Sequence, residues 1–226
     1  MSEAAAPAAR HIELDHLVVA CRTLDAGRAW CEAVFGTAPA PGGRHALMGT
    51  HNLLLAVSSP RFPRAYIELI AIDPEAPAPS WLRWFDLDQA ALQAHIASAP
   101  KLVHWVARTT DIDAAVAVVR NAGFDPGAVV DAERMTAGGP LRWRIAIAAG
   151  GIRHAEGAVP LLIEWGDAHP ADDLPRSGVE LRSAAARGIA PELAAVLGLD
   201  APDGAAAAPL VAELMAPRGA VTLISA

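Results

Sequence analysis

The sequence predicts an α+β fold, in which two tandem βαβββ modules form one curved mixed sheet around a cavity and a partial βαββ module follows. The first observation behind this prediction is a repeat: "LDHLVVACRTLDAG" at residues 14–27 returns 88 residues later as "LVHWVARTTDIDAA". The second is that each copy continues as a polar turn, a helix and three more strands. The third is a C-terminal segment with the pattern of a strand, a helix and a hairpin, which is an incomplete third copy.

The first module is predicted over residues 11–73, after a flexible N-terminus at residues 1–10. Its first strand contains His16 and leads into a helix over residues 23–35, and Gly36 ends that helix, as glycine commonly does. Three apolar runs separated by turn residues then predict three strands, in "RHALMGT", "HNLLLAVSS" and "AYIELIAID".

The second module is predicted over residues 101–168, with a helix over residues 111–122 that ends near Gly123. Its remaining strands are predicted in the hairpin "ERMTAGGPLRWRIAIAAGG" and in "VPLLIEWGD". A proline-rich and partly helical linker, residues 74–100, joins the two modules. Residues 169–226 form the predicted partial module.

The charge and composition argue against several classes of partner and site. A formal net charge of −7 leaves no basic surface for a nucleic acid. No apolar run reaches the roughly 18 residues of a membrane span, and the opening "MSEAAAPAAR" lacks the pattern of a secretory signal. We therefore expect a cytoplasmic protein that binds neither nucleic acid nor membrane. Cys21 and Cys31 form no CxxC motif, which argues against a thiolate metal site and a disulfide framework.

Four ionisable side chains are predicted to share one face of the sheet. His16 and His104 lie in the first strand of each copy, and Glu68 and Glu164 lie in the last. Because side chains alternate along a strand, these four point away from the residues expected to pack against the helices. Those packing residues are Ile67, Leu69, Val103, Trp105, Ile163 and Trp165.

Pairing of the two copies into one curved sheet would bring these two imidazoles and two carboxylates together in its concavity. Two buried carboxylates without compensation are costly, and a divalent cation would neutralise them. Two glutamates and two neutral imidazoles suit zinc, nickel, iron, cobalt or manganese.

With these residues in place, the sequence resembles the vicinal oxygen chelate superfamily over residues 12–167. This superfamily includes glyoxalase I, extradiol dioxygenases, fosfomycin-resistance enzymes and metal-free bleomycin-binding proteins. More narrowly, "PGGRHALMGTHNLLLAV" followed by "YIELIAID" is similar to the glyoxalase-like domain proteins of bacteria. The resemblance implies that His16, Glu68, His104 and Glu164 hold the metal, and that a substrate binds through two adjacent oxygens. By analogy with glyoxalase I, it also implies that Glu164 is the catalytic base.

The leading functional prediction is an enzyme, a divalent-metal-dependent lyase or isomerase acting on a small oxygen-bearing metabolite through Lewis-acid catalysis. The alternative is a metal-free protein that binds and sequesters a small molecule, with each glutamate paired to a histidine. An iron-dependent ring-cleaving dioxygenase is less favoured, because the additional glutamate fills a position that oxygen would need.

Four further residues are candidates for contacts with the substrate. Arg142 and Arg144 share a strand face and could clamp an anionic group, or could lie on an exposed strand rim. His51 and Asn52 belong to a polar segment between glycines, which suits either a contact with the cavity or an ordinary hairpin. An exposed strand edge in the partial module could pair with a second copy of the chain and form a homodimer.

Overall fold

The computed structural model describes residues 12–136, 138–200 and 208–225. The predicted flexible N-terminus lies outside the described residues. The strands are β1 (Ile12–Ala20), β2 (Ala40–His45), β3 (Thr50–Ala56), β4 (Tyr66–Ile72), β5 (Lys101–Thr109), β6 (Ala128–Thr136), β7 (Gly139–Ile147), β8 (Leu161–Trp165), β9 (Glu180–Ala186), β10 (Leu210–Ala216) and β11 (Gly219–Ile224). The helices are α1 (Leu24–Phe35), α2 (Ala90–Ile96), α3 (Ile112–Asn121) and α4 (Pro191–Val196).

Eight strands form one large curved sheet that is nearly closed, in the order β2-β3-β4-β1-β5-β8-β7-β6. Within each half of this sheet, the first strand pairs in parallel with the last, β1 with β4 and β5 with β8. The halves meet where β1 and β5 run antiparallel, with His16 opposite Val106 and Val18 opposite His104. The predicted α+β fold with a curved mixed sheet is confirmed.

The C-terminal segment folds as the predicted strand, helix and hairpin. Strands β9, β10 and β11 form a separate antiparallel sheet in the order β11-β10-β9, and α4 follows β9. Leu181, Leu197 and Leu214 of this segment belong to the same buried cluster as Leu17 of β1. The partial module is therefore packed into the main core.

Both long helices begin and end within one residue of the predicted positions. The Thr23 side chain accepts a hydrogen bond from the Ala26 backbone N–H at 3.2 Å, and Asp111 accepts one from the Ala114 N–H at 3.0 Å. These oxygens satisfy backbone donors that the first turn of a helix leaves without partners. Gly36 ends α1 with a φ of 78°, in the left-handed region that glycine adopts without strain.

One strand differs from its prediction. The run "RHALMGT" was expected to form a strand, whereas β2 covers Ala40–His45 and the chain turns before β3 starts at Thr50. Gly49, with a φ of 57°, lies in this turn, and the Met48 N–H donates to the His45 carbonyl at 3.0 Å. Met48 of this run is thus a turn residue that packs inward, since its side chain is buried.

The two faces of the eight-stranded sheet support two separate cores. One face packs against α1 and α3 and buries Leu17 and Trp105. We call the other, concave face the cup and define it by His16, Glu68, Val106, Ile145 and Ile163. The linker fills part of the cup, because Trp84, Phe85 and residues of α2 join the second core.

Three packing predictions are wrong. Val103 and Ile163 join the core on the cup side, and Trp165 packs against that core instead of against the helices. At Val103 the β1–β5 pairing slips by one residue, since Val18 pairs with His104 but Val19 with Leu102. Such a bulge changes the face to which the extra residue points. No helix of the described ranges combines the length and apolar character needed to span a membrane.

Replacing Leu17 with alanine tests the helix-side core. The Leu17 side chain has no exposed area, so the variant leaves a cavity between the sheet and the helices. We expect urea denaturation to show a free energy of unfolding lower by about 2–5 kcal/mol. The control is Leu82→Ala, because Leu82 is 50% exposed, and it should change stability by less than about 0.5 kcal/mol. Equal effects of the two variants would contradict this packing.

Candidate active site

A buried acid–base pair lies in the cup, on the two parallel strands at the centre of the sheet. His16 of β1 is paired with Tyr66 of β4, and Glu68 lies two residues further along β4. The His16 Nε2 atom is 3.6 Å from Glu68 Oε2, and both side chains are only 7% exposed. The Tyr66 ring stacks on the His16 imidazole with ring centroids 4.5 Å apart. These contacts hold the imidazole beside the carboxylate.

Asp15 fixes the orientation of His16 from the other side. It is fully buried, and its carboxylate is 2.6 Å from His16 Nδ1, 2.8 Å from His169 Nε2 and 3.0 Å from Trp165 Nε1. An ionised carboxylate only accepts hydrogen bonds, so His16 Nδ1 must donate, and Nε2 is left facing Glu68. The β1–β5 register shifts between Leu14 and His16, which places Asp15 at a bulge of the kind that redirects side chains.

Asn52 and His45 hold the other oxygen of Glu68. The Asn52 amide donates to Glu68 Oε1 at 2.6 Å, and His45 Nε2 lies 3.8 Å from the same oxygen. The Gly43 N–H donates to the Asn52 side-chain oxygen at 2.7 Å, which fixes the orientation of that amide. His45 Nδ1 is 3.0 Å from the Thr50 hydroxyl. The hydrogen-bonded shell thus leaves Glu68 Oε2 as the oxygen nearest to His16.

The electrostatics of the cup favour an ionised pair. Burial alone would lower the pKa of His16, but hydrogen bonds and charge attraction from Asp15 and Glu68 outweigh it and raise this pKa to about 9. Burial would raise the pKa of Glu68, yet His16, His45 and Asn52 lower it. Burial lowers the pKa of His45 to about 4, so His45 is neutral. At neutral pH the cup contains a carboxylate beside an imidazolium.

Trp84 and Phe85 of the linker divide the concave side into two small cavities. The first, about 40 Å³, is lined by His16, Glu68 and their neighbours, and the second, about 20 Å³, by His104. Both aromatic residues line both cavities, and the rings of Phe85 and His104 lie 5.2 Å apart. His104 Nδ1 lies 3.2 Å from the Gly157 carbonyl, and burial lowers the pKa of this imidazole to about 3. His104 therefore faces the same side as His16 but in a separate compartment.

The structure does not bring Glu164 to the other three predicted metal ligands. Its Oε2 atom accepts a hydrogen bond from the Ile112 N–H at 2.9 Å, at the start of α3, and lies 3.3 Å from Arg144 Nη1. Glu68 is opposite Val18, two residues after His16, whereas Leu161 is opposite Val106, two residues after His104. Leu161 consequently occupies the position in the second half that Glu68 occupies in the first. Glu164, three residues later, faces the helices.

This arrangement does not fit the predicted four-ligand metal site. One of the four positions carries a leucine, and His104 lines a different cavity from His16 and Glu68. Within the described ranges, no three or more His, Cys, Asp or Glu side chains are grouped so that they could hold a metal ion.

Arg142, Arg144 and His51 also lie away from the acid–base pair. Arg142 pairs with Glu133 at 3.1 Å, and Arg144 with Asp113 at 3.1 Å, beside a surface pocket of about 300 Å³. Both arginines line that pocket on partly exposed strand positions, and their contact with a substrate stays a prediction. His51 Nδ1 is 4.0 Å from Asp73, on the side of β3 opposite to Asn52. Of the predicted substrate contacts, only Asn52 lies beside Glu68.

Comparison with known proteins agrees with this fold. The family model described as a glyoxalase-like domain matches residues 14–198. The chain belongs to this family. The match and the fold confirm the resemblance to the vicinal oxygen chelate superfamily. A search of curated proteins finds no sequence that matches.

The solved structures that match this glyoxalase-like chain have low sequence identity to it. A hypothetical protein from Staphylococcus aureus has a TM-score of 0.52 at 14% identity, with 96% of this chain and 87% of that chain covered. Methylmalonyl-CoA epimerase from Mycobacterium tuberculosis has a TM-score of 0.39 at 20% identity, with coverage of 69% and 88%. The epimerase from Streptomyces coelicolor has a TM-score of 0.40 at 19% identity, covering 69% and 97%.

Four residues around the acid–base pair were missed in the sequence: Asp15, His45, Arg134 and His169. Simple alternation places Asp15 on the face opposite to His16, and only the bulge in β1 brings the two together. His45 stands in "GGRH", a polar group between glycines that did signal a cavity contact. His169 and Arg134 come from distant segments, and no local pattern connects them to β1.

The pKa of His16 makes folding stability depend on pH. An imidazole in the unfolded chain loses its proton near 6.5, whereas His16 in the folded protein keeps it up to about 9. The stabilisation that protonated His16 contributes is complete below pH 6.5 and is lost as the pH rises through about 9. We expect urea denaturation to show a decline in the free energy of unfolding over this range, on the order of 1–3 kcal/mol.

The Asp15→Asn variant is the matched control for this pH dependence. It keeps the shape of the side chain but removes a charge that raises the pKa of His16. The decline should begin at a lower pH and become smaller. If the variant kept the decline of the unmodified chain, His16 would not be its source.

Proposed function

We propose that this glyoxalase-like protein is an isomerase or lyase that moves a proton at a carbon next to a carbonyl group of a small molecule. The observation that supports this most directly is the buried pair of His16 and Glu68, 3.6 Å apart, with opposite pKa shifts. A neighbouring acid and base with separated pKa values are what proton transfer to and from carbon requires.

In the proposed reaction Glu68 is the base. Its Oε2 atom takes a proton from the carbon next to the carbonyl group, and the electron pair of the C–H bond forms a C=C bond. The carbonyl oxygen becomes an enolate oxygen, which takes the proton of His16 Nε2–H or a hydrogen bond from it. Return of the proton to the same carbon on its opposite face gives the epimer. Where that carbon carries a hydroxyl group, return of the proton to the former carbonyl carbon, with loss of the hydroxyl proton and formation of a new C=O bond, gives the isomer. Departure of a group from the next carbon, with its bonding electrons, gives the lyase product.

The surrounding residues position this pair. Asp15 and His169 hold the His16 imidazole so that Nε2 faces the cavity, and Asn52 binds the Glu68 oxygen that does not react. The buried surroundings strengthen each of these interactions, because water does not screen the charges. Burial also keeps the enolate away from competing protons of the solvent.

The divalent metal ion that the resemblance implies remains a prediction. His16 and Glu68 are the two predicted ligands that lie together. Glu164 instead caps α3, and the His104 imidazole contacts the ring of Phe85. A metal site with the four predicted ligands would require a different register of β8. The proposed proton transfer uses the side chains alone.

Deuterium exchange tests the proposed function. The protein is incubated in D₂O with a panel of small aldehydes, ketones and 2-oxo acids, and NMR follows the loss of C–H signals next to the carbonyl group. We expect catalysed exchange for at least one compound, and a decrease of about 10²–10⁴-fold in His16→Gln and Glu68→Gln. The control is His51→Gln, because His51 faces away from the pair, and its rate should stay within a few-fold.

The same assay distinguishes the alternatives. If chelator-treated protein without stoichiometric metal keeps its exchange rate, the side chains carry the reaction. If activity disappears and returns with an added divalent metal, the metal prediction is supported over the proton transfer proposed here. If compounds bind in the cup and none exchanges, the protein binds small molecules without turning them over. The small aromatic-lined cavity beside Trp84 and Phe85 is the observation that favours this second function.

Two predictions concern the surroundings of the protein. The cytoplasmic location stays a prediction. The homodimer also stays a prediction. It is supported by β11, which is an edge strand of its sheet and carries Ile224, a residue that is 57% exposed. Gel filtration of the whole chain tests it, and a monomer at all concentrations would contradict it.

A further inference from the structure

We infer that Arg134 makes the cup a binding site for the carboxylate group of a small organic acid. This inference rests on the proposed function, because it identifies the class of compound whose proton Glu68 would remove. Arg134 lies on β6, at the opposite edge of the sheet from β2, and it lines the same cavity as His16 and Glu68. No pattern in the sequence marked it.

Because the sheet is nearly closed, Arg134 on the edge strand β6 reaches the cavity. Its guanidinium lies directly against the backbone of Gly43 in β2, where a Cβ atom would be only 1.8 Å from Nη1. Glycine is therefore the residue that leaves room for this side chain. The Gly43 N–H also binds the amide of Asn52, which in turn binds Glu68. Gly43 thus contacts Arg134 of β6 and is also hydrogen-bonded, through Asn52, to Glu68.

Within the described residues, Arg134 differs from Arg44, Arg142 and Arg153 in having no close ion pair, and only the more distant charge of Glu68 attracts it. Arg44 binds Asp73 at 2.8 Å, Arg142 binds Glu133 at 3.1 Å and Arg153 binds Asp86 at 2.9 Å. In the described part of the chain, Arg134 makes no ion pair within 4.0 Å and no side-chain hydrogen bond, although it is half-buried. Glu68 attracts this guanidinium only from beyond 4.0 Å, and partial burial of N–H donors that have no acceptor costs free energy. A bound anion would recover that cost.

The chemistry of the site favours a carboxylate. A guanidinium presents parallel N–H donors that match the two oxygens of a planar carboxylate. Arg134 and Glu68 line one cavity of about 40 Å³, which has room for about one to three water molecules. A carboxylate on Arg134 would thus hold its adjacent carbon near Glu68.

Titration with simple acids tests this site in the whole protein. The probes are acetate and propionate, with acetamide as the neutral analogue and inorganic phosphate as a different anion. NMR follows the arginine Nε–H and tryptophan indole N–H signals, since Trp84, Trp143 and Trp165 line the cavity. We expect saturable shifts with both carboxylates, no saturation with acetamide, and weakening by roughly 10- to 100-fold in Arg134→Gln.

Two control variants make the outcome specific. Arg142→Gln removes an arginine that is 68% exposed and paired with Glu133 on the surface, and it should bind acetate as the unmodified chain does. Arg134→Lys should retain part of the affinity, because it keeps the charge but loses the planar pair of donors. Equal acetate binding by the unmodified chain and Arg134→Gln would overturn the inference. So would tighter binding of phosphate than of either carboxylate.

Failure of this inference and failure of the proposed function give different results. If deuterium exchange depends on Glu68 and acetate binding does not depend on Arg134, the proton transfer stands and the carboxylate site is wrong. If acetate binding depends on Arg134 and no compound exchanges, the carboxylate site stands and the cup only binds acids.

Discussion

The antiparallel pairing of β1 with β5 is the constraint on which the rest of the structure depends. It joins the two repeated halves into one sheet, and nearly every residue of β1 is buried on one face or the other. Leu17 lies against the helices and His16 lies in the cup. A slip of one residue would exchange these two side chains, burying an imidazole among the helices and placing leucine beside Glu68. The core thus determines the register of the candidate active site.

Asp15 links the packing of the two halves to the geometry of the His16–Glu68 pair. A fully buried carboxylate is tolerated only when charged or polar donors surround it, and here two imidazoles and an indole do so. The same hydrogen bonds orient His16 toward Glu68. Trp165 belongs to the end of the second half and His169 to the segment after it, whereas Asp15 and His16 belong to the first half. The acid–base pair is therefore complete only when the two halves of the chain are packed together.

The two halves have diverged in chemistry while keeping their fold. The first half supplies His16, His45, Asn52 and Glu68, whereas the cup side of β8 presents Leu161 and Ile163. The linker adds to this asymmetry, because Trp84 and Phe85 line both the cavity of His16 and the cavity of His104. Phe85 and Asp86 adopt left-handed φ values of 60° and 58°, which are uncommon for residues with side chains, and the ion pair from Asp86 to Arg153 holds them there. The side chains of Trp84 and Phe85 thus occupy part of the concave face, which the repeat predicts to be a symmetric cavity.

The sequence by itself determined the repeat, the helix ends at Thr23, Gly36 and Asp111, and the shared face of His16 and Glu68, because alternation and capping are local properties. Only the tertiary structure decided which residue of β8 faces the cup. In the strand "LLIEW" the glutamate comes three residues after Leu161. Because Leu161 pairs with Val106, the leucine faces the cup and the glutamate does not. The register between β5 and β8 depends on the connection that leads from β7 into β8 and on the pairing of β8 with β7, which no local pattern encodes. For the same reason the sequence did not show that Asp15, Arg134 and His169 meet around one buried pair.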